Sequence, residues 1–211
     1  MKVLDFPQGS TEWAVARAKR VTASRIDAVL SRSRDRKSEG ATRRNYKAQI
    51  ISEILTGRPQ ENGYTNKAIE DGVELEPLAR AAYEVRHNLF VDQVGFVVHP
   101  AIERSGASPD GLVGNDGLVQ FKCPFPATHI GYLLGGVVPT EYEPQMLWEM
   151  ACTERAWCDF VSYCPAFPPS LQLFSVRFQR DDKRIQEITA EVNVFLREVD
   201  EIIEQLQRKA A

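Results

Sequence analysis

The chain has 211 residues and a formal net charge of −3, with 43% apolar and 26% charged side chains, values that place it among globular proteins and exclude a disordered or fibrous chain. No apolar run approaches the roughly 20 residues that span a bilayer. The opening Met1-Lys2-Val3-Leu4-Asp5-Phe6-Pro7 lacks the apolar stretch of a signal peptide, so we expect a soluble, cytoplasmic protein folding as a single domain over residues 1–211. Cys123, Cys152, Cys158 and Cys164 form no C-x-x-C pair, which points to free thiols rather than zinc or a disulfide framework. The mild negative charge argues against a polyanion partner, but its distribution argues the other way. Arg17, Lys19, Arg20, Arg25, Arg32, Arg34, Arg36, Lys37, Arg43, Arg44 and Lys47 share one early segment with only Asp27, Asp35 and Glu39.

Taken in order, Ser10 or Thr11 caps a first helix carrying Trp13, Ala14, Arg17 and Ala18. Thr22-Ala23-Ser24 caps a second, with Ile26, Val29 and Leu30 on one face. Residues 31–41 have no apolar anchor and read as a mobile basic loop. Residues 42–56 form an amphipathic helix ended by Gly57 and Pro59. A further helix spans 65–88, and Pro77 either kinks it or starts its second half. Residues 89–99 read as one strand, with His99 structural at its end, and residues 104–108 as another that delivers Asp110.

Leu112-Val113 and Leu118-Val119-Gln120-Phe121 flank Gly114-Asn115-Asp116-Gly117, the residue types a tight hairpin turn requires. Folding about that turn sets Asp110 opposite the stretch from Gln120 to Lys122. Alternation then points Gln120 and Lys122 one way and Phe121 the other. A carboxylate, an amide and an ammonium are thereby gathered into one polar cluster. Beyond it come a short helix at Ala127–Leu134 and a second beginning at Glu143 with Pro144 in its first turn. Strands follow at Trp157–Tyr163 and Leu171–Phe178, then a long amphipathic helix from Asp182 to Arg208. The order implies an α/β fold: a central mixed β-sheet flanked by helices.

Asp110, a gap of nine, then Gln120-x-Lys122 differs at one position from the Asp…Glu-x-Lys signature of the PD-(D/E)XK nucleases. The flanking Ser108-Pro109-Asp110-Gly111-Leu112 and Lys122-Cys123-Pro124-Phe125 sharpen the match. Together with Trp13, Arg17 and Thr22-Ala23-Ser24, they resemble the phage lambda exonuclease or YqaJ-like viral recombinase family. The resemblance implies a restriction-endonuclease-like core and 5'→3' exonuclease activity on linear double-stranded DNA. It implies two Mg²⁺ ions per site, with Mn²⁺ as a substitute, held by Asp110, Gln120, Glu76 and the Phe121 carbonyl, while Lys122 orients the attacking water. Arg17 and Ser24 would hold the 5'-phosphate, with Ser108, Gln145 and Arg36 as further DNA contacts. It also implies a ring-shaped homotrimer, encoded by a phage or prophage, that leaves 3' overhangs for a single-strand-annealing protein.

Gln120 is the departure from the pattern, because an amide oxygen can ligate a metal but carries no charge. Two explanations stand at this point: an inactivated variant of an enzyme with Glu there, or a non-catalytic DNA-end binder. A structure-specific endonuclease on the same core is a third reading, and it leaves Arg17 and Ser24 without a role.

Overall fold

The computed structural model describes residues 1–34, 38–60 and 67–210. The strands divide between two sheets rather than sharing one. β1 (Lys2–Leu4), β4 (Phe96–Val98), β5 (Ser105–Ala107) and β2 (Val21–Thr22) form the smaller sheet in the order β1-β4-β5-β2, with β2 parallel to β5. β3 (Val91–Asp92), β6 (Gly111–Val113), β7 (Gly117–Lys122), β8 (Trp157–Tyr163) and β9 (Leu173–Gln179) form the larger in that order. The stretch 89–99, expected as one strand, is therefore two, one in each sheet. Between them Gly95 passes so close to the first strand that an added Cβ would lie 2.4 Å from the Leu4 carbonyl oxygen, which only glycine allows.

In the larger sheet, β7 runs antiparallel to β6 through the tight turn and parallel to β8. A parallel partner requires a crossover, and α5 (Pro126–Gly135) and α6 (Glu143–Thr153) supply it. Alternate residues then feed two cores. Leu118, Cys158 and Phe160 pack with Met146, Leu147 and Trp148 of α6 and with Ile188, Val192, Phe195 and Val199 of α7 (Asp182–Ala210). Val119, Phe121 and Val161 face the other way, toward Ala79 and Tyr83 of α4 (Lys67–His87). A strand covered on both faces reads as continuously apolar, and β7 does so except for Gln120, which is buried, and Lys122 at its half-buried end. Helix α4 runs through Pro77 without ending there.

Two further readings change. The second N-terminal helix is not capped by Thr22, which instead closes β2; a 3₁₀ turn at Ala23–Arg25 leads into α2 (Ile26–Leu30). The early basic segment is also not one open face. In α3 (Ala41–Thr56) Arg43 is buried, with its Nη2 3.1 Å from both carboxylate oxygens of Glu198 on α7. Lys47 lies 2.7 Å from Glu198 and 2.7 Å from Glu39, and Arg32 is 2.6 Å from Glu191. These cations fasten α3, and the loop ends at Arg32 and Glu39, against α7. Around that loop Arg32 pairs with Glu39 as an isolated bridge, while Arg36 lies outside the described residues. Among the described residues no helix is long and apolar enough to cross a membrane.

Candidate active site

Register in the hairpin is fixed by Gly111 pairing with Val119 and Leu112 with Leu118, which sets Asp110 across from Gln120. The Asp110 Oδ2 accepts the Phe121 N–H at 2.8 Å, so the carboxylate is locked to the strand that carries Lys122. Burial pushes the Asp110 carboxyl up, and the Lys122 ammonium pulls it back down. Lys122 Nζ sits 5.0 Å from the centre of the Tyr142 ring, at the entrance to α6.

Two helices bring carboxylates to this hairpin. Glu76 of α4 accepts from Arg80, one turn on, at 2.7 Å. Burial and then the charge of Asp110 raise its carboxyl, against Arg80 and Lys122. Glu149 of α6 is only 1% exposed. Its Oε1 accepts from Gln145 Nε2 at 2.8 Å, and its Oε2 has no hydrogen-bond partner. Burial first and Asp110 second push the Glu149 carboxyl up to about 8. Gln120 is fully buried, and neither its amide oxygen nor its amide nitrogen has a partner. An unsatisfied buried polar group costs about 1–3 kcal/mol, so this corner of the core is poorly satisfied by the protein alone.

These groups have the chemistry of a hard-cation site. Carboxylate and amide oxygens are the donors that Mg²⁺ and Mn²⁺ prefer, and the orphaned Gln120 and Glu149 oxygens are available as ligands. Among the described residues no three His, Cys, Asp or Glu side chains already converge into a cage. Burial, with Glu76 and Asp110 adding to it, pushes the thiol of neighbouring Cys123 up to about 12, which disfavours its thiolate.

Beside the carboxylates lies a second, cationic feature. Ser10 caps α1 (Thr11–Arg17), its Oγ accepting the Trp13 N–H at 3.1 Å, which sets Trp13 and Arg17 one turn apart on one face. The Arg17 guanidinium stacks 4.1 Å from the Trp13 ring centre. It donates to Ser108 Oγ at 3.2 Å and to Ser24 Oγ at 3.3 Å, while Trp13 Nε1 donates to Ser108 Oγ at 2.9 Å. Trp13, Arg17 and Ser24 line a cleft of about 270 Å³ together with Arg25 and Gln49, and Ser108 holds Arg17 and Trp13 from behind through its hydroxyl.

Of the residues expected from sequence, Asp110, Lys122, Glu76 and Gln120 surround one site. Arg17 and Ser24 line the adjoining cleft, Ser108 bonds to Arg17 behind it, and Gln145 joins the first group through Glu149. Glu149 itself was missed. The signal for it was a lone acid inside the apolar run Met146-Leu147-Trp148-Glu149-Met150-Ala151, four residues after Gln145. His99 is structural as expected: buried and stacked 4.8 Å from Trp148, its Nδ1 accepts the Ala101 and Ile102 N–H groups.

A mixed α/β core with a hairpin-borne Asp and Lys beside helix-borne carboxylates is a nuclease-type architecture. Residues 12–156 match the YqaJ-like viral recombinase domain, and the chain belongs to that family. An alkaline exonuclease from Laribacter hongkongensis, LHK-Exo, is 45% identical, with a TM-score of 0.87 over 95% of this chain and 98% of that one. The same enzyme solved in complex with dAMP superposes equally well, with a TM-score of 0.87. A phage-related exonuclease from Haemophilus somnus, 16% identical, shares the fold with a TM-score of 0.70 over 89% of this chain and 96% of that one. An uncharacterised protein of Acanthamoeba polyphaga mimivirus is 27% identical over 176 residues, which cover 76% of this chain and 30% of that longer protein.

Proposed function

We propose that the protein is a Mg²⁺-dependent exonuclease that degrades linear double-stranded DNA from its 5' ends and leaves 3' overhangs for recombination by strand annealing. One observation carries the proposal: Ser108, whose hydroxyl accepts from both Arg17 and Trp13 of the cationic cleft, lies two residues before Asp110. A terminal phosphate gripped by Arg17 and Ser24 would thus sit next to the carboxylate cluster, and an internal phosphate has no need of such a grip. The likeness to LHK-Exo, itself described as an alkaline exonuclease and crystallised with dAMP, supports the same reading.

Asp110, Glu76, the Gln120 amide oxygen and the Phe121 carbonyl would hold the divalent ions, which when bound supply charge neutralisation at the phosphate and acidify water. Lys122 directs its ammonium toward the cleaved phosphate and orients the attacking water beside Asp110. Arg17, stacked on Trp13, fixes the distance between the 5' end and the scissile bond, which makes cleavage a repeated step from one end. A ring-shaped homotrimer, a single-strand-annealing partner and action in the cytoplasm of a bacterial host extend the proposal by resemblance.

Digestion of linear 5'-phosphorylated duplex with Mg²⁺ tests it, using 5'-labelled, 3'-labelled and closed circular DNA. Release of 5' label from linear duplex, with circular DNA intact, is the expected result. Nicking of the circle would favour a structure-specific endonuclease. Gln120 motivates one other reading, a DNA-end binder without turnover, and end binding with no digestion in Mg²⁺ or Mn²⁺ would establish it.

A further inference from the structure

We infer that Glu149 is the carboxylate that completes the divalent-cation site, taking over from helix α6 the charge that an acid at position 120 would carry. The inference rests on the nuclease reading above and deepens it by naming a ligand outside the hairpin motif. It starts from Gln120, which shares a strand face with Leu118 and Lys122. Leu118 packs into the core that includes Met146, Leu147 and Trp148, and Lys122 reaches the Tyr142 ring, so this face meets α6. Gln120 therefore faces the helix that carries Glu149, and both side chains are almost wholly buried. Between them they leave three polar atoms without partners, both amide atoms of Gln120 and Oε2 of Glu149.

A buried carboxylate is ordinarily answered by an arginine or lysine in contact with it. Glu149 has no such ion pair among the described residues; its one hydrogen bond is from the neutral amide of Gln145. Its strongest charged neighbour is another carboxylate, Asp110, with Lys122 and Arg17 acting more weakly. Such an arrangement is costly in the bare protein and favourable around a cation. Charge bookkeeping agrees. With Gln at 120 and Glu at 149, the set of Asp110, Glu76 and Glu149 has the same number of acids as a site with its third carboxylate on the strand. Acids at both positions would crowd a further negative charge against Asp110. Gln120 is thus the fitting companion of Glu149 in a working site, which removes the need for either a disabled enzyme or a mere end binder. Glu76 and Glu149 each have one oxygen engaged by a residue four positions away on their own helix, Arg80 and Gln145, and these contacts would be exchanged on cation binding.

The test is calorimetric titration of Mn²⁺ into the full chain and its variants E149Q, Q120E and Q120E/E149Q. Melting temperatures in chelator and digestion of linear duplex are measured on the same samples. We expect E149Q to weaken Mn²⁺ binding about 10- to 100-fold and to melt higher than wild type in chelator. Moving the charge back, in Q120E/E149Q, should restore binding to within a few-fold. Wild-type Mn²⁺ affinity in E149Q, no Mn²⁺ binding by wild type, or a double exchange no better than E149Q would each overturn the assignment. If E149Q does not fold, Q120E compared with Q120E/E149Q reads the same charge: the double variant should melt higher in chelator, and an unchanged or lower value counts against Glu149. The nuclease reading fails separately. Loss of Mn²⁺ binding on E149Q in a protein that never digests DNA keeps Glu149 as a ligand and discards the exonuclease.

Discussion

The cationic cleft and the carboxylate cluster meet at Ser108-Pro109-Asp110, yet they are built on opposite terms. In the cleft the Arg17 guanidinium has two hydroxyl acceptors and an aromatic ring beneath it, and Trp13 Nε1 has its acceptor. In the cluster Gln120 has no partner, Glu149 has a partner for one oxygen only, and Asp110 faces two further acids. A satisfied site holds its shape before ligand arrives, whereas an unsatisfied one is held in a poor state by the surrounding fold and improves on binding. The phosphate end of the substrate should therefore find a preformed seat, while the reacting end should depend strongly on its cation.

The largest effect should come from the cluster. Asp110→Asn keeps an acceptor for the Phe121 N–H, and Lys122→Met keeps most of the side-chain bulk. Either should reduce digestion about 10²- to 10⁴-fold with an unchanged circular dichroism spectrum. Normal activity in both would remove the cluster from the chemistry and leave the cleft as the whole site.

Next in size is a pH dependence of stability without metal. Glu149 is faced by Asp110, Gln145, Lys122 and Arg17, and by the buried thiols of Cys152 and Cys158, which burial raises well above their ordinary range. Its carboxyl is raised from 4.5 to about 8, so between those values the folded protein keeps a proton that the unfolded chain has released. Stability from this group is then fully present below about pH 4.5, falls as pH rises, and levels off above about pH 8. Urea unfolding in chelator at about pH 5 and pH 8.5 should show wild type losing on the order of a few kcal/mol relative to E149Q. Parallel pH profiles would mean that the cluster is as well satisfied as the cleft.

What the sequence revealed and what it hid divide along local and non-local lines. The hairpin was readable because Gly114 to Gly117 and the alternation on either side are contiguous. The Ser10 cap and the long helix after Asp182 are local patterns too. The split of residues 89–99 was hidden, since apolar content says nothing of which sheet a strand joins, and Gly95 reveals its purpose only once Leu4 lies against it. Arg17 and Arg43 look alike in sequence. One lines the cleft, and the other is buried against Glu198, 155 residues away. Glu149 could be noticed as an acid in an apolar run, but its meaning depends on Asp110 and Gln120, which only the packing of α6 on β7 brings near.

On the cleft side the expected effects are smaller and more selective. Arg17→Ala removes the guanidinium but leaves Trp13, Ser24 and Ser108 in place. Digestion of 5'-phosphorylated duplex should fall about 10- to 100-fold, in keeping with loss of charged hydrogen bonds, while ends bearing a 5'-hydroxyl should be little affected. Equal loss on both substrates would mean that Arg17 supports the fold or the chemistry rather than the phosphate.

Ser24→Ala should do least. Its hydroxyl is exposed, accepts a long 3.3 Å bond from Arg17 and lies 3.4 Å from the Thr22 hydroxyl, so its removal deletes two weak contacts and leaves the stacked guanidinium on Trp13. A loss of about 0.5–1.5 kcal/mol corresponds to a several-fold rise in KM for phosphorylated ends with kcat unchanged. The ratio of the two variants measures how independent the seat is of any one contact. If Ser24→Ala were as damaging as Arg17→Ala, the guanidinium would depend on that hydroxyl for its position, and the cleft would be no better preorganised than the carboxylates beside it.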